Sequence, residues 1–214
     1  VADLAQLYQI RPEKAKEEYQ RIQKLQNETA LTYPALYLFD GLMYRNIKRK
    51  NLTKEEEQYV QNHLLITSSL YGVIPALAPI APHRLDFMTK LKVEKQSLKK
   101  LWTETYGQAV ADQEILLSLL SSEFEEVFPK EVRDKMIRFK FMEEKDGKRK
   151  IHSTISKKAR GQFLTALIEE QIQNIEDIKK LSFAGFVFQE NLSTDQELVF
   201  IKQVWKSEAL LSMS

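Results

Sequence analysis

Within residues 136–143, Ile137, Phe139 and Phe141 alternate with Arg138, Lys140 and Met142, and this alternation constrains the fold more than any other feature of the chain. Phe139 and Phe141 fall on one face of an extended strand, whereas Arg138 and Lys140 fall on the opposite face. This follows because successive side chains of a strand point to opposite faces of its sheet. The segment is therefore predicted to be a strand with one apolar face and one basic face.

The residues after this strand predict a hairpin followed by a helix. Lys145-Asp146-Gly147 is a turn sequence, so residues 149–155 are predicted to return as the partner strand. Apolar residues then recur at helical spacing, which predicts a helix over residues 162–172. Its predicted buried face comprises Phe163, Leu164, Leu167, Ile168 and Ile172.

The rest of the chain mixes helices and strands. Near the N-terminus two helices flank Arg11-Pro12, because a proline suits the first position of a helix. Thr53 and Glu56 form a capping-box pattern, which predicts a helix to about Thr67. The other predicted elements are strands over residues 35–39, 115–120 (covered on both faces), 185–189 and 197–202, a short strand near Tyr44, a helix over residues 98–110, and a short helix capped by Ser122 with Glu125.

This order lacks regular strand–helix–strand alternation, so it favours the α+β class. We predict a single compact domain over residues 1–205, with a mixed, mostly antiparallel sheet flanked by helices, and a C-terminal tail over residues 206–214. The N-terminal helix pair is predicted to be a helix-hairpin-helix-like element. Its turn, Ile10-Arg11-Pro12-Glu13-Lys14, lacks the usual Gly-x-Gly, so a plain helical hairpin is the open alternative.

Composition excludes several classes of chemistry. The chain has no cysteine, which excludes disulfides, iron–sulfur ligation and cysteine nucleophiles. It has no run of eighteen apolar residues and no signal-peptide pattern, so we predict a cytoplasmic protein without a membrane partner. The sequence begins at Val1 already in helical periodicity, and we therefore expect its natural N-terminal segment to be missing.

The charges are segregated although the net charge is only +2. Residues 103–127 carry six acidic side chains and no lysine or arginine, whereas residues 130–160 carry twelve basic side chains against five acidic ones. Residues 44–54 add five more basic side chains and no acidic one. A basic face can steer a polyanion toward a protein of nearly neutral total charge. The alternative is that these side chains lie on scattered solvated faces.

Ser156-Lys157-Lys158-Ala159-Arg160-Gly161 concentrates the basic charge just before the predicted helix. Cations are unfavourable at the opening turn of a helix, where the macrodipole is already positive. A bound phosphate would offset this cost, because it would accept the unpaired backbone N–H groups of the turn. The segment therefore predicts a phosphate site, with a solvated basic turn as the alternative.

Five motifs together resemble the YaaA family of bacterial peroxide-stress proteins. They occur in the family's order: Ser68-Ser69-Leu70-Tyr71-Gly72-Val73, Pro82-His83-Arg84-Leu85, Ser121-Ser122-Glu123-Phe124, Lys157-Lys158-Ala159-Arg160-Gly161, and Gly185-Phe186-Val187-Phe188 with Leu198-Val199-Phe200. The resemblance implies a DNA-binding protein with a basic cleft that limits oxidative damage and free iron under peroxide stress. Relatives usually begin with a few dozen further residues, including a strand and a Ser/Thr-x-Ala-Lys-like segment. Leu42 departs from the family, in which a polar residue is common.

Basic residues in these motifs and in the alternating strand are the predicted DNA contacts. Lysine and arginine neutralise phosphates and release counterions, which gives affinity without reading sequence. The predicted partner is therefore DNA, duplex or branched. Arg84 follows a rigid proline-rich loop, and its alternative role is a buried guanidinium bound to carbonyl groups. Tyr71 either stacks on a base or packs in the core. The predicted nucleic-acid-binding residues are Lys157, Lys158, Arg160, Arg84, Lys140, Arg138 and Tyr71.

No metal site or cofactor is predicted. His63, His83 and His152 are far apart and form no metal-binding motif, and no phosphate-binding glycine loop or nucleophile elbow occurs. Two other functions stay open. One is an enzyme acting on a nucleic acid or another phosphate-containing substrate, with a catalytic cluster of Ser68, Tyr71, Arg84, Glu123 and Lys158. The other is an interaction protein whose basic surface docks on an acidic partner.

Overall fold

The computed structural model describes residues 2–204 and confirms the α+β class. The helices are α1 (Ala2–Tyr8), α2 (Pro12–Gln26), α3 (Ala35–Leu38), α4 (Lys54–His63), α5 (Leu98–Gln108), α6 (Ser122–Glu125), α7 (Lys130–Arg133), α8 (Ser153–Glu169) and α9 (Ile175–Lys180), with 3-10 turns at Tyr44–Asn46 and Glu190–Leu192. The strands are β1 (Tyr33–Pro34), β2 (Leu65–Ser68), β3 (Gly72–Pro75), β4 (Pro79–Ile80), β5 (Lys92–Val93), β6 (Gln96–Ser97), β7 (Leu116–Ser118), β8 (Met136–Lys145), β9 (Lys148–Lys150), β10 (Ser182–Phe183), β11 (Phe186–Phe188) and β12 (Glu197–Gln203).

The described chain divides into two compact units that are interleaved in sequence. Unit 1 contains the residues up to Phe39 together with Val60–Glu114 and Leu120–Lys135. Unit 2 contains Asp40–Tyr59, Ile115–Leu119 and the residues from Met136 onward. A single domain over residues 1–205 stays a prediction, and the predicted tail lies outside the described residues. None of the described helices is long and apolar enough to cross a membrane.

Unit 1 combines helices with three short antiparallel strand pairs, β1–β4, β2–β3 and β5–β6. Helices α1 and α2 pack together, and Pro12 occupies the first position of α2 as the sequence predicts. Whether this pair acts as a helix-hairpin-helix element stays a prediction. The core contains edge-to-face aromatic contacts, with Tyr106 at 5.9 Å from Phe87 and 4.9 Å from Phe128 between ring centroids.

Unit 2 is a mixed sheet in the order β10-β11-β12-β8-β7, with β9 paired to β8. β8 pairs in parallel with β12 and β7, whereas the other pairs of this sheet are antiparallel. The alternation of β8 is confirmed, because Phe139 and Phe141 are buried and Arg138 and Lys140 are not. Helix α8 covers the apolar face of β8, where the ring centroids of Phe163 and Phe139 are 4.5 Å apart. The mixed, mostly antiparallel topology is therefore confirmed.

Two of the predicted strands are wrong. Residues 35–38 form helix α3, because the N–H groups of Ala35 and Leu36 donate to the carbonyl oxygens of Ala78 and Ala76 at 3.0 and 2.8 Å. These bonds anchor the first turn of a helix on the proline-containing segment. Near Tyr44 the chain forms a 3-10 turn, whose local bonds include Ile47 N–H to the Tyr44 carbonyl at 3.2 Å.

Other boundaries also differ from the sequence predictions. The capping box of α4 is confirmed by reciprocal Thr53–Glu56 hydrogen bonds of 2.9 and 3.2 Å, but the helix ends at His63 because β2 pairs with β3. β7 is an edge strand, and with Ile115 55% and Leu117 37% exposed it is not covered on both faces. Ser122 is the first residue of α6 rather than its cap, since Ser121 precedes the helix.

Gly161 allows helix α8 to approach the 3-10 turn at Tyr44–Asn46. A Cβ atom on Gly161 would lie 2.3 Å from the Met43 carbonyl oxygen and 2.8 Å from Asn46 Cβ. Thr165 Oγ1 also accepts the Lys48 N–H at 2.8 Å. The helix and the 43–48 segment are therefore in direct contact, and the space between them admits no additional side-chain atom.

We expect Gly161→Ala to lower the free energy of unfolding by about 2–3 kcal/mol, because backbone atoms must move to admit the new methyl group. Helix propensity alone would give the opposite sign, a gain of about 1 kcal/mol. Urea denaturation measures the change, with Thr154→Ala on the exposed side of α8 as a control expected within about 0.5 kcal/mol of the parent. A more stable Gly161→Ala protein would contradict the close contact.

Glu56 predicts a pH dependence of stability. The Lys48 ammonium, at 2.6 Å, and the Thr53 N–H hold the pKa of Glu56 below its usual value. The folded state therefore gains stability above the pKa of an unfolded glutamate, about 4.3, and loses it as the pH falls through the lower folded pKa.

We expect Glu56→Gln to keep the capping box but to remove this part of the acid dependence. Urea midpoints measured from neutral to acidic pH should therefore converge for the parent and Glu56→Gln as the pH falls. Glu57→Gln makes the same charge change at an exposed neighbouring position, and its curve should stay parallel to that of the parent. Parallel curves for Glu56→Gln would show that the Lys48 contact contributes nothing.

Candidate functional site

The first candidate site lies in unit 1 and begins at the turn between β2 and β3. Ser68 Oγ accepts two backbone N–H groups of this turn at 3.2 Å each. Gly72 has a φ of +81°, and a Cβ atom on it would lie 2.8 Å from the Trp102 ring. The indole N–H of Trp102 donates to the Ser69 carbonyl at 2.8 Å. The turn is therefore held by its own serine and by helix α5.

An irregular segment, residues 81–89, lies against this turn, and we call it the arginine loop. Its backbone is anchored by side chains from other parts of unit 1. Glu18 Oε1 accepts the Arg84 N–H at 2.7 Å, and Glu123 Oε1 accepts the Phe87 N–H at 3.0 Å. Two further bonds run from the Ala81 N–H to the Tyr71 hydroxyl oxygen at 3.2 Å and from the Ser69 hydroxyl to the Leu85 carbonyl at 2.7 Å. The loop is thus fixed without regular secondary structure.

His83 joins the loop to the turn. Its Nδ1 lies 3.0 Å from the Ala81 carbonyl oxygen and its Nε2 lies 3.3 Å from Ser68 Oγ. Because a carbonyl only accepts hydrogen bonds, Nδ1 donates to Ala81, and Nε2 is the ring nitrogen that contacts the Ser68 hydroxyl. The ring also packs edge-on against Tyr71 and Phe39. Ser68 is only 2% exposed, so in this arrangement its hydroxyl has a structural role.

The Arg84 side chain is exposed, although the backbone N–H of the same residue is tightly bound. Within residues 2–204 its guanidinium makes no hydrogen bond or ion pair, so the alternative of a buried guanidinium bound to carbonyls does not describe it. Burial, together with Glu18 and Asp86, raises the pKa of the nearby Tyr8, and Arg84 opposes this shift. The loop therefore presents a positioned but unpartnered cation.

Four members of the alternative catalytic cluster meet around the arginine loop. Ser68, Tyr71 and Glu123 anchor it, and Arg84 projects from it. Lys158 belongs to unit 2. The contacts seen for the first three residues are anchoring contacts, since each uses its polar atom to hold the loop or the turn.

Sequence reasoning missed Glu18. This carboxylate is 2% exposed, and it pairs with Arg21 at 3.0 Å as well as with the loop. The signal was available, because Ala15, Glu18 and Ile22 follow one another on a single face of α2. An acidic residue on an otherwise apolar helix face indicates a buried carboxylate with a specific partner.

The second candidate site lies in unit 2, where one prediction is wrong. Helix α8 begins at Ser153, so Lys157, Lys158 and Arg160 lie beyond its opening turn. The backbone N–H groups of these residues bond within the helix and are not available to a phosphate. The helix extends further toward the N-terminus than predicted. Ala159 lies one turn before Phe163 on the same face of the helix, and it is buried as well. The partner strand predicted over residues 149–155 is correspondingly shorter, since β9 ends at Lys150.

Residues 145–158, which we call the basic segment, carry five exposed lysines. They are Lys145, Lys148, Lys150, Lys157 and Lys158, and none of them makes an ion pair with another described residue. Lys145 stands directly opposite Lys148 in the β8–β9 pair, with Asp146 in the turn between them. Like charges at opposing positions are destabilising. By contrast, neighbouring acids pair with Lys179 and Lys180 of α9 at 2.9 and 2.8 Å. Arg149 of the basic segment does pair, with Glu144 at 2.6 Å, so the unpaired charge of the segment lies on its five lysines.

The other predicted basic contacts in unit 2 are partly engaged. Lys140 pairs with Glu197 at 3.5 Å, and Arg138 donates to the Met136 carbonyl at 3.3 Å. Arg160 is half-buried in α8. These three residues have less exposed charge to offer a ligand than the lysines of the basic segment. In the part of the chain that the structure describes, no three histidine or acidic side chains are grouped to hold a metal ion.

Comparisons with known proteins agree on one family. A family model described as "Peroxide stress protein YaaA" matches residues 1–192. A UPF0246 protein of Streptococcus gordonii is 91% identical over 204 residues, which cover 95% of this chain and 84% of the relative. UPF0246 proteins of Streptococcus sanguinis and Streptococcus pneumoniae are 60% and 59% identical with the same coverage.

The two carboxylate anchors of the arginine loop give a residue-specific prediction. We expect Glu18→Ala to accelerate hydrogen exchange of the Arg84 amide about tenfold, since losing one such bond costs about 1.4 kcal/mol. Glu123→Ala should do the same for the Phe87 amide. Each variant serves as the control for the other in exchange measured by NMR. Equal acceleration of both amides in both variants would contradict this prediction, because it would show that the whole loop opens together.

Proposed function

Because the chain belongs to the YaaA family of peroxide stress proteins, we propose that it acts in that response by binding DNA through phosphate contacts. The proposal places the protein in the cytoplasm and assigns it a role in limiting oxidative damage and free iron. The observation that carries it is the basic segment, in which five exposed lysines lack ion-pair partners among the described residues.

The chemistry of the basic segment suits a phosphate backbone. Each lysine that neutralises a phosphate releases condensed counterions, so affinity accumulates over several weak contacts. The facing Lys145 and Lys148 repel each other in the unbound hairpin, and an intervening phosphate would convert this repulsion into two attractions. Duplex or branched DNA provides phosphates at regular spacing.

The start of helix α8 adds neutral donors beside the lysines. His152 precedes the helix without a side-chain cap, and the first turn contains no acidic residue. Ser153 and Thr154 are exposed and supply hydroxyl groups as well as backbone N–H groups. Donors of this kind position a phosphate and carry no sequence information. We therefore propose binding without sequence preference, with Arg84 and Tyr71 of unit 1 as further contacts.

We expect Lys157→Ala combined with Lys158→Ala to weaken binding to all duplex sequences alike. The slope of log K against log salt should fall by roughly one to two units, since each lost phosphate contact removes about 0.9. Fluorescence anisotropy of labelled duplex and branched DNA, across about 50–200 mM salt, measures both quantities.

The matched control is Lys179→Ala combined with Lys180→Ala. It makes the same charge change on another helix of unit 2, where both lysines are ion-paired. Its salt slope should equal that of the parent. Equal slopes for all three proteins would refute the basic segment as the site. No binding even at low salt would refute DNA binding and favour the enzyme or protein-docking alternatives.

A further inference from the structure

Unit 1 contains a cleft of about 710 Å³ between helix α1 and the end of the arginine loop. Its volume is in the range of small-molecule sites. Seven of the nine lining residues have polar side chains: Asp3, Gln6, Tyr8, Gln9, Asp86, Thr89 and Lys90. Met88, which is 71% exposed, adds an apolar surface. All residues that line this cleft belong to unit 1, whereas the lysines of the basic segment belong to unit 2.

Most of the polar groups in this cleft are unpartnered. The side chains of Asp3, Gln6, Gln9 and Lys90 make no hydrogen bond or ion pair within residues 2–204. Asp86 differs, because its Oδ1 accepts both the N–H and the hydroxyl of Thr89 at 2.8 and 2.9 Å. These two bonds fix the carboxylate and leave Oδ2 as an acceptor. The cleft thus combines one oriented carboxylate with several uncommitted amides.

The charge of the lining argues against a phosphate. Two carboxylates, Asp3 and Asp86, face one ammonium, Lys90. Ionised carboxylates only accept hydrogen bonds, so they select a ligand edge rich in N–H donors. The Tyr8 ring and the Met88 thioether provide a surface on which a flat ring can stack. An aromatic ring with an N–H-rich edge fits both the carboxylates and this surface.

We propose that this cleft binds a guanine base. The Watson–Crick edge of guanine places N1–H and N2–H₂ side by side, and both can donate to Oδ2 of Asp86, since Oδ1 already accepts the two Thr89 donors. The Gln6 and Gln9 amides, which line the same cleft, supply N–H donors for the O6 and N7 acceptors. Adenine presents an acceptor at N1, which the carboxylate repels. The base can belong to a free nucleoside or to an unpaired position in a DNA strand, and the proposal does not depend on phosphate binding by the basic segment.

The test is a titration of the protein with guanosine and adenosine, followed by amide chemical shifts in NMR spectra. We expect guanosine to shift the amides around Tyr8 and Asp86, and to bind about tenfold more tightly than adenosine. Asp86→Asn keeps an oxygen for Thr89 but replaces an acceptor by a donor, so the preference for guanosine should disappear. Tyr8→Ala removes the stacking surface from a helix without fully buried residues and should lower guanosine affinity about tenfold.

A second arm identifies the source of the base. Guanine-containing single-stranded DNA that binds in an Asp86-dependent manner, when guanosine does not, would place the base in a strand. Absence of both interactions, equal binding of the two nucleosides, or binding unaffected by Asp86→Asn and Tyr8→Ala would overturn the proposal. Guanosine carries no phosphate, so its binding should survive Lys157→Ala combined with Lys158→Ala. This independence separates failure of the guanine site from failure of the basic segment.

Discussion

A loop without regular secondary structure must find partners for its backbone N–H and C=O groups outside itself, and the architecture of unit 1 depends on how the arginine loop does so. Glu18 and Glu123 accept its N–H groups, and Ser69 donates to its carbonyl. These residues come from three different segments of the sequence. Each contact therefore fixes the loop and also joins distant parts of the chain, so that the exposed Arg84 side chain projects from a defined backbone.

The sequence predicted those elements that are marked by a local pattern of residues. The alternation of β8, the proline at the start of α2 and the Thr53–Glu56 capping box are all confirmed, because each depends on residues that are close in the chain. Helix α3 was not predictable in this way, since its first N–H groups bond to carbonyls some forty residues away. The first two turns of α8 are rich in serine and lysine, so apolar spacing marked only the later part of the helix.

For the candidate sites as well, the sequence identified several of the residues but not their arrangement in space. The sequence motifs contain Ser68, Tyr71, Arg84 and Glu123, but only the structure shows that they converge on one loop. Glu18 lies outside every motif, and only its position between Ala15 and Ile22 on one face of α2 indicates that its carboxylate is buried. Charge segregation did identify the lysine-rich region. The pairing state of each lysine, which separates the basic segment from α9, depends on neighbours that composition does not show.

Lys145 and Lys148 face each other in the β8–β9 hairpin, and their repulsion makes the stability of the hairpin depend on the ions around it. Mobile ions screen this repulsion, but they also screen the attraction between Glu144 and Arg149, which pair at 2.6 Å in the same hairpin, so ionic strength has opposing effects on it. By thermodynamic linkage, any anion that prefers the closed hairpin also stabilises it by mass action. Folding of the hairpin and anion binding are therefore coupled at the position where Lys145 faces Lys148.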